Sequence, residues 1–278
     1  MPIVGACITP HAGEVLPELA GERLEAFAPT RQAMEELGRR MKGRRPEIIV
    51  LATPHGLRME GFISVVTSEH SRGTMAGPGG EVRQEFRVDR EMARAIVRRG
   101  RGAGLPIVGC NYGALEGPSS NVELDWGAII PLYYFGADLP ETERPKVVLV
   151  GPAREIPLPN LIQVGRVIAE LAEESDRRVV FVASADQAHA HKKDGPYGFD
   201  PAAAEYDSQV QELVKGNRLH KLLEMSPKFV EDAKPDSLWQ MLILYGVSQI
   251  VPLHSEFLSY QAPTYFGMLV ADYPVDGR

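Results

Sequence analysis

The sequence predicts an α/β fold, a single domain in which helices flank a central, mostly parallel mixed sheet. Short apolar runs ended by turn-forming residues alternate along the 278-residue chain with segments of helical spacing. The composition, 44% hydrophobic and 24% charged, is that of an ordinary globular protein. The sequence contains no internal repeat, low-complexity tract or long linker, so we expect one domain over residues 1–278.

Six short runs rich in Val, Ile and Ala predict buried strands, because each ends at a turn signal. They cover residues 3–9, 47–53, 62–66, 146–150, 178–183 and 266–271. Five segments between them predict helices. Met34, Leu37 and Met41 share one helical face in residues 30–42, and residues 89–99 begin with the acidic cap Asp89 and end before a glycine. The other helices are predicted at residues 159–173, 201–215 and 236–245.

The charge balance excludes a purely electrostatic binder of nucleic acid or membrane. The chain has 30 Lys and Arg against 37 Asp and Glu, a net charge of −7. The basic run RRGRG at residues 98–102 is interpreted as a solvated helix end, since cations complement the helix dipole there. No apolar run is long enough to cross a membrane and no signal peptide is recognisable, so a cytoplasmic location is expected.

The two cysteines, Cys7 and Cys110, lie in apolar, strand-like surroundings and are predicted to be buried free thiols. They do not form a pair at metal-binding spacing, which excludes a cysteine-based zinc site.

Histidines follow three of the predicted strands. His11 stands in TPHAG, His55 in TPHG and His189 in SADQAH, each just beyond an apolar run. Ligands of open α/β sheets bind at the carboxyl ends of the strands. Two neutral imidazoles and one carboxylate are the ligands of non-haem Fe(II). Asp236, which would otherwise cap the last helix, and Glu256 are the candidate carboxylates.

Four segments, taken in order, resemble the catalytic subunit of class III extradiol ring-cleavage dioxygenases, the protocatechuate 4,5-dioxygenase beta-subunit superfamily. They are GACITPHAGEVLPEL, ATPHG, SADQAHAH and LSYQAPTYFGMLVADY, and the resemblance covers essentially the whole chain. It implies that His11 and His55 bind Fe(II) with a carboxylate near Asp236, where the family has a glutamate. Glu231 and Glu256 are the alternatives for that carboxylate.

The resemblance also implies the reaction, insertion of O2 into a catechol-like or aminophenol-like aromatic. His189, with His191 as the nearby alternative, would act first as a base and then as an acid beside the substrate. Asp186 would orient the imidazole ring of His189. Trp126 stands where family members often have a histidine near the substrate. Arg58 would pair with a substrate carboxylate. Related catalytic subunits pair with themselves or with a small partner chain, so we expect a homo-oligomer or such a complex.

Two other functions fit the same residues. The SADQAH segment also resembles the Memo proteins, which share the fold and are not established ring-cleaving enzymes, and Trp126 favours this metal-binding or partner-binding alternative. Two histidines, one carboxylate and a bound water would also suit a zinc hydrolase. Fe(II) is the expected metal, with Zn or Mn as alternatives. His70, His220 and His254 are interpreted as surface or structural residues.

Overall fold

The computed structural model describes residues 2–277, and this part of the chain contains eleven strands and eight α-helices. The strands are β1 (Ile3–Thr9), β2 (Ile48–Ala52), β3 (Ile63–Val66), β4 (His70–Gly77), β5 (Gly80–Arg87), β6 (Ile107–Cys110), β7 (Asn121–Glu123), β8 (Lys146–Pro152), β9 (Val179–Ser184), β10 (Glu256–Gln261) and β11 (Met268–Tyr273). The helices are α1 (Pro17–Ala20), α2 (Ala28–Gly43), α3 (Arg90–Gly102), α4 (Trp126–Leu132), α5 (Leu158–Glu173), α6 (Pro201–Lys215), α7 (Pro227–Ala233) and α8 (Leu238–Ser248).

A mixed sheet of eight strands, in the order β10-β11-β1-β9-β2-β8-β3-β6, forms the centre of the protein. The four middle strands β1, β9, β2 and β8 are mutually parallel, and β3 pairs with β6 in parallel as well. The remaining neighbours are antiparallel. The predicted α/β fold with a mostly parallel mixed sheet is confirmed. Because β1, β9, β2 and β8 run the same way, their carboxyl ends meet at one edge.

Helices cover both faces of the sheet, which explains why its strands are continuous apolar runs. Ile48 and Val50 of β2 face a core that includes residues of α3, α5, α6 and α8. Ile49 and Leu51 face the other core, which includes residues of α2 and α4. Cys7 and Cys110 are buried and free, as predicted. Among the described residues, helices long and apolar enough to span a membrane do not occur.

All six predicted strands and all five predicted helices are present, with ends shifted by at most three residues. The elements that the sequence did not predict lie mainly outside the parallel core. The largest is a hairpin of β4 and β5, which with β7 forms a three-stranded sheet of order β5-β4-β7. In β5 buried and exposed residues alternate, because one face of this small sheet is solvated. Its polar sequence therefore lacks the apolar run that marks the core strands.

The position of α8 is set by a close contact with α5. At this crossing Gly165 of α5 and Gly246 of α8 approach each other's backbones, and a Cβ atom on either glycine would collide with a carbonyl oxygen of the partner helix. Asp236 lies two residues before α8 begins. The glycine contact therefore helps to fix where that carboxylate stands relative to the sheet.

Candidate metal centre

Three side chains converge at the carboxyl edge of the parallel strands: His11, His55 and Asp236. The Nε2 atoms of His11 and His55 are 3.1 Å apart. Asp236 Oδ2 lies 3.3 Å from His55 Nε2 and 3.8 Å from His11 Nε2. Ligand atoms at about 2.1 Å from one ion stand roughly 3 Å apart when they are adjacent. The three donors are therefore spaced to share a single metal ion.

Sheet topology accounts for this convergence. His11 follows β1 and His55 follows β2, and β9 is the strand between them. Asp236 arrives from the other direction, at the start of α8. Its backbone N–H donates to the carbonyl oxygen of Asp186, in the segment after β9, over 3.2 Å. His11, His55 and Asp236, which are far apart in the sequence, are thus brought to the same edge of the sheet.

Asp236 is free to face the histidines because it does not cap the helix. The N-cap position of α8 is occupied by Ser237, whose side chain makes no capping hydrogen bond. One oxygen of Asp236, Oδ1, accepts from Nη2 of Arg154 over 2.5 Å, while Oδ2 faces the two imidazoles. Burial alone would raise the pKa of Asp236, but the neighbouring imidazoles of His11 and His55 hold that pKa below its usual range.

Hydrogen bonding decides which nitrogen of His11 faces this centre. The His11 Nδ1 atom lies 3.0 Å from Ser184 Oγ, and Ser184 donates its own proton to the Gly127 carbonyl oxygen. Ser184 must therefore accept from Nδ1–H, which leaves Nε2 as the nitrogen available to a metal. Burial alone would lower the pKa of His11, but the charges of Asp186 and Asp236 raise that pKa above its usual value. These carboxylates favour a cation at Nε2, either a proton or a metal ion.

The ring of His55 is held between two other rings. It lies edge-on to His11, with ring centres 4.8 Å apart, and against Trp126, with ring centres 4.1 Å apart and a tilt of 33°. The backbone N–H of His55 donates to Thr53 Oγ1, which in turn donates to Asp125. Trp126 opens α4 and is 47% exposed, so the same indole supports a candidate ligand and lines the space beside it.

Asp186 and His189 complete the centre from the segment after β9. Asp186 Oδ1 accepts the backbone N–H of His11, and Oδ2 lies 3.3 Å from His11 Nε2. Burial raises the pKa of the Asp186 carboxyl. Asp186 was expected to orient the ring of His189, but it contacts His11 instead. The ring of His189 is held by a hydrogen bond to the carbonyl oxygen of Gln187.

His189 is arranged to offer an unprotonated nitrogen toward the ligands. Its Nδ1 donates to the Gln187 carbonyl oxygen over 2.8 Å, and because a carbonyl only accepts, Nδ1 carries the proton. The other nitrogen, Nε2, lies 3.9 Å from Asp236 Oδ2. The ring stacks on Phe266 with centres 5.4 Å apart. Burial lowers the pKa of His189, which favours the neutral imidazole.

A cavity of about 680 Å³ opens directly onto the candidate ligands and His189. Polar side chains occur on its walls, but rings form a large part of the lining: Phe27, Trp126, Tyr197, Tyr265 and Phe266. A second cavity of about 600 Å³, with more apolar walls, shares His189, Tyr197 and Asp236 with the first. Concave spaces in which rings and polar groups converge are a usual form of small-molecule sites.

Two residues that were expected beside the substrate, His191 and Arg58, lie outside the first cavity. His191 Nε2 lies 2.7 Å from Asp207 Oδ2, and His191 is not among the residues that line the first cavity. Arg58 lines a neighbouring cavity of about 1020 Å³ that also touches His55 and Trp126. The structure therefore brings Trp126, but not His191 or Arg58, into the first cavity.

The two alternative carboxylates are also separated from the histidines. Glu256 belongs to β10 and pairs with Arg40 over 2.5 Å. Glu231 belongs to α7 and lines the second cavity. Among the described residues, the group of at least three possible ligand side chains consists of His11, His55 and Asp236.

Arg154 is one contributor to the site that the sequence analysis did not identify. It follows β8, the fourth parallel strand, in the segment GPAR. The same rule that selected the histidines, a polar residue just beyond a buried parallel strand, would have found it.

Comparisons with known proteins agree with this architecture. A protein of Clostridium acetobutylicum, named Protein CA_C1420, is 24% identical over 262 residues, a match that covers 94% of this chain and 55% of that protein. The chain thus spans about half the length of this curated relative. The crystal structure of the uncharacterized protein JW3007 from Escherichia coli K12 shares the fold, with a TM-score of 0.58 at 16% identity, covering 97% of this chain and 99% of that one.

The family match extends over nearly all of the chain. Residues 5–270 match the family described as "Catalytic LigB subunit of aromatic ring-opening dioxygenase". This protein is therefore a member of the LigB family of aromatic ring-opening dioxygenase catalytic subunits.

Proposed function

We propose that the protein is a non-haem Fe(II)-dependent extradiol ring-cleavage dioxygenase acting on a catechol-like or aminophenol-like aromatic. The observation that carries the proposal is the convergence of His11 Nε2, His55 Nε2 and Asp236 Oδ2 beside the unprotonated nitrogen of His189. Two imidazoles and one carboxylate leave coordination positions open for two further reactants, as this chemistry requires. The family membership supports the same reaction class.

The donor set fits the proposed metal. His11, His55 and Asp236 would hold Fe(II), since imidazole nitrogen and carboxylate oxygen both suit this ion and the three donors already lie close together. When bound, Fe(II) would supply the binding of substrate oxygens and the electron transfer to O2. The chain itself would orient the substrate and transfer protons.

The first cavity suits a substrate with one aromatic ring. Its volume of about 680 Å³ leaves room for such a ring and its substituents. Tyr265 and Phe266 lie against His189, and Trp126 lies against His55, so rings stand on two sides of the reacting position. Offset or edge-on contacts with these rings would hold a flat substrate beside the ligands.

His189 would move the proton. Its Nε2 has a free lone pair, because Nδ1 is committed to the carbonyl of Gln187. Its pKa, lowered by burial, keeps the ring neutral at neutral pH, so Nε2 can accept the proton of a substrate hydroxyl. The nearby carboxylates of Asp186 and Asp236 would stabilise the imidazolium until the proton is returned to the product side.

Oxygen uptake by Fe(II)-loaded protein tests this proposal. The protein is loaded without oxygen, its metal content is measured, and O2 consumption is followed with catechols and 2-aminophenols together with the absorbance of ring-opened product. We expect uptake that is lost in His11→Ala and retained in His254→Ala, a matched control because His254 is half exposed and pairs with Asp276. Bound zinc with substrate hydrolysis, or stoichiometric Fe(II) without O2 uptake across the panel, would overturn it.

A further inference from the structure

Arg154 connects the fourth parallel strand to the candidate metal carboxylate. It lies two residues after the end of β8, and its Nη2 donates to Asp236 Oδ1 over 2.5 Å. The Asp236 side chain is only 7% exposed, whereas that of Arg154 is 47% exposed. The partly exposed guanidinium of Arg154 therefore lies at the surface and contacts a carboxylate that is itself buried.

Two further contacts hold Arg154 in place. Its guanidinium stacks over the ring of Trp239 at 5.1 Å, and Trp239 Nε1 donates back to the Arg154 carbonyl oxygen over 3.1 Å. Trp239 belongs to α8, three residues after Asp236. Arg154 and the first turn of α8 thus form a closed unit of one ion pair, one ring stack and one hydrogen bond.

We propose that Arg154 is a positioning residue that holds Asp236 as a one-oxygen metal ligand. With Oδ1 committed to the guanidinium, Oδ2 alone faces His11 and His55. Aspartate is shorter than glutamate, so its carboxylate reaches the imidazoles only in a narrow range of orientations. The planar guanidinium fixes that orientation, and it also prevents Oδ1 from occupying a coordination position that a reactant would need.

Charge alone would have the opposite consequence. A cation beside the site repels a metal ion, so removing the charge of Arg154 would tighten metal binding if repulsion were its main effect. Orientation is the stronger effect here, because Trp239 and Asp236 fix both ends of the guanidinium. Groups that orient a metal ligand typically contribute 10- to 100-fold to affinity. We therefore expect loss of Arg154 to weaken metal binding.

Anaerobic titration with Co(II), followed by its visible absorption, tests the proposal without requiring turnover. We expect Arg154→Ala to weaken Co(II) binding by about tenfold or more and to change the absorption spectrum. Millimolar guanidinium should restore affinity in Arg154→Ala but not in His55→Ala. Arg99→Ala is the matched control, because Arg99 makes an exposed ion pair with Glu174 and neither residue lines the two cavities at the centre.

A second variant separates positioning from general stability. Trp239→Leu removes the stack and the hydrogen bond, so it should weaken Co(II) binding less than Arg154→Ala, and the double variant should bind no worse than Arg154→Ala. Unchanged or tighter binding by Arg154→Ala, with a normal melting temperature, would overturn the proposal. The inference rests on the proposed metal site, and His55→Ala distinguishes the two. Retained Co(II) binding in His55→Ala contradicts the site itself.

Discussion

Ser184, at the end of β9, accepts a hydrogen bond from Nδ1 of His11, which follows the neighbouring parallel strand β1. This bond determines that the other ring nitrogen, Nε2, is presented to the metal centre. Ser184 can only accept, because its hydroxyl proton is donated to the carbonyl oxygen of Gly127 in α4. One serine therefore links β9, the segment after β1 and the helix that begins at Trp126. The tautomer of His11 therefore depends on how the sheet packs against α4, and not only on the segment after β1 that carries His11.

Ser184→Ala is expected to weaken both metal binding and the fold. It leaves the buried His11 Nδ1–H and the Gly127 carbonyl without a partner, which costs about 1–3 kcal/mol of unfolding free energy. Without a fixed tautomer, metal affinity should fall by about tenfold. Urea unfolding and Co(II) titration measure the two effects.

Ser71→Ala is the matched control for Ser184→Ala. Ser71 is also buried and donates to a backbone carbonyl, that of Val122, but it belongs to the small sheet. The Ser71→Ala variant should be less stable than the unmodified protein and should keep its Co(II) affinity. Equal loss of affinity in both variants would mean that His11 does not depend on Ser184.

Asp236→Asn is expected to abolish stoichiometric metal binding. The substitution keeps the size of the side chain and removes the negative charge that faces His11 and His55. Glu231→Gln and Glu256→Gln should bind metal as the unmodified protein does, because neither side chain belongs to the ligand cluster. Metal content after gel filtration is the measurement. If Glu231→Gln lost its metal while Asp236→Asn kept it, the carboxylate assignment would be wrong.

The central fold could be predicted because its strands are buried on both faces and read as continuous apolar runs. The same property placed His11 and His55 correctly beyond β1 and β2, and the rule that parallel strands end at one edge brought them together. The sequence did not show that β9 lies between those two strands. That order depends on contacts far apart in the chain.

The rest of the site was hidden because local sequence signals were ambiguous. Asp236 precedes an apolar helix, where an aspartate usually caps, and only the packed structure shows its carboxylate turned toward the histidines. His189 and His191 are two residues apart in an irregular segment that bends at His189, so the alternation of a regular strand does not apply there, and the two rings have different partners. Spacing alone could not decide which of the two faces the cavity.

Replacement of these two histidines is expected to have different effects. His189→Ala should lower turnover by about 10²- to 10⁴-fold, the usual contribution of a positioned acid or base, and leave Co(II) affinity nearly unchanged. His191→Ala should mainly lower stability, because it removes a hydrogen-bond donor from the buried carboxylate of Asp207. Steady-state O2 uptake and thermal unfolding distinguish the two. A variant at His191 that loses turnover at full stability would reverse the assignment.

Gly246→Ala is expected to disturb the metal centre from a distance. The new methyl group would collide with the carbonyl of Ile162 in α5, so α8 must shift outward. Overpacking of this kind typically costs about 1–3 kcal/mol of unfolding free energy. Because α8 carries Asp236 just before its first turn, a shift of the helix also moves the carboxylate away from His11 and His55, and Co(II) affinity should fall.

Gly102→Ala provides the comparison for this change. Gly102 ends α3, and a Cβ atom there would meet nothing within 4 Å. The variant should therefore have the stability and the Co(II) affinity of the unmodified protein. Gly246→Ala should therefore differ from Gly102→Ala in both measurements. Full Co(II) affinity in a destabilised Gly246→Ala protein would show that Asp236 is held by its contacts with Arg154 and the segment after β9. The α5–α8 contact would then contribute to stability alone.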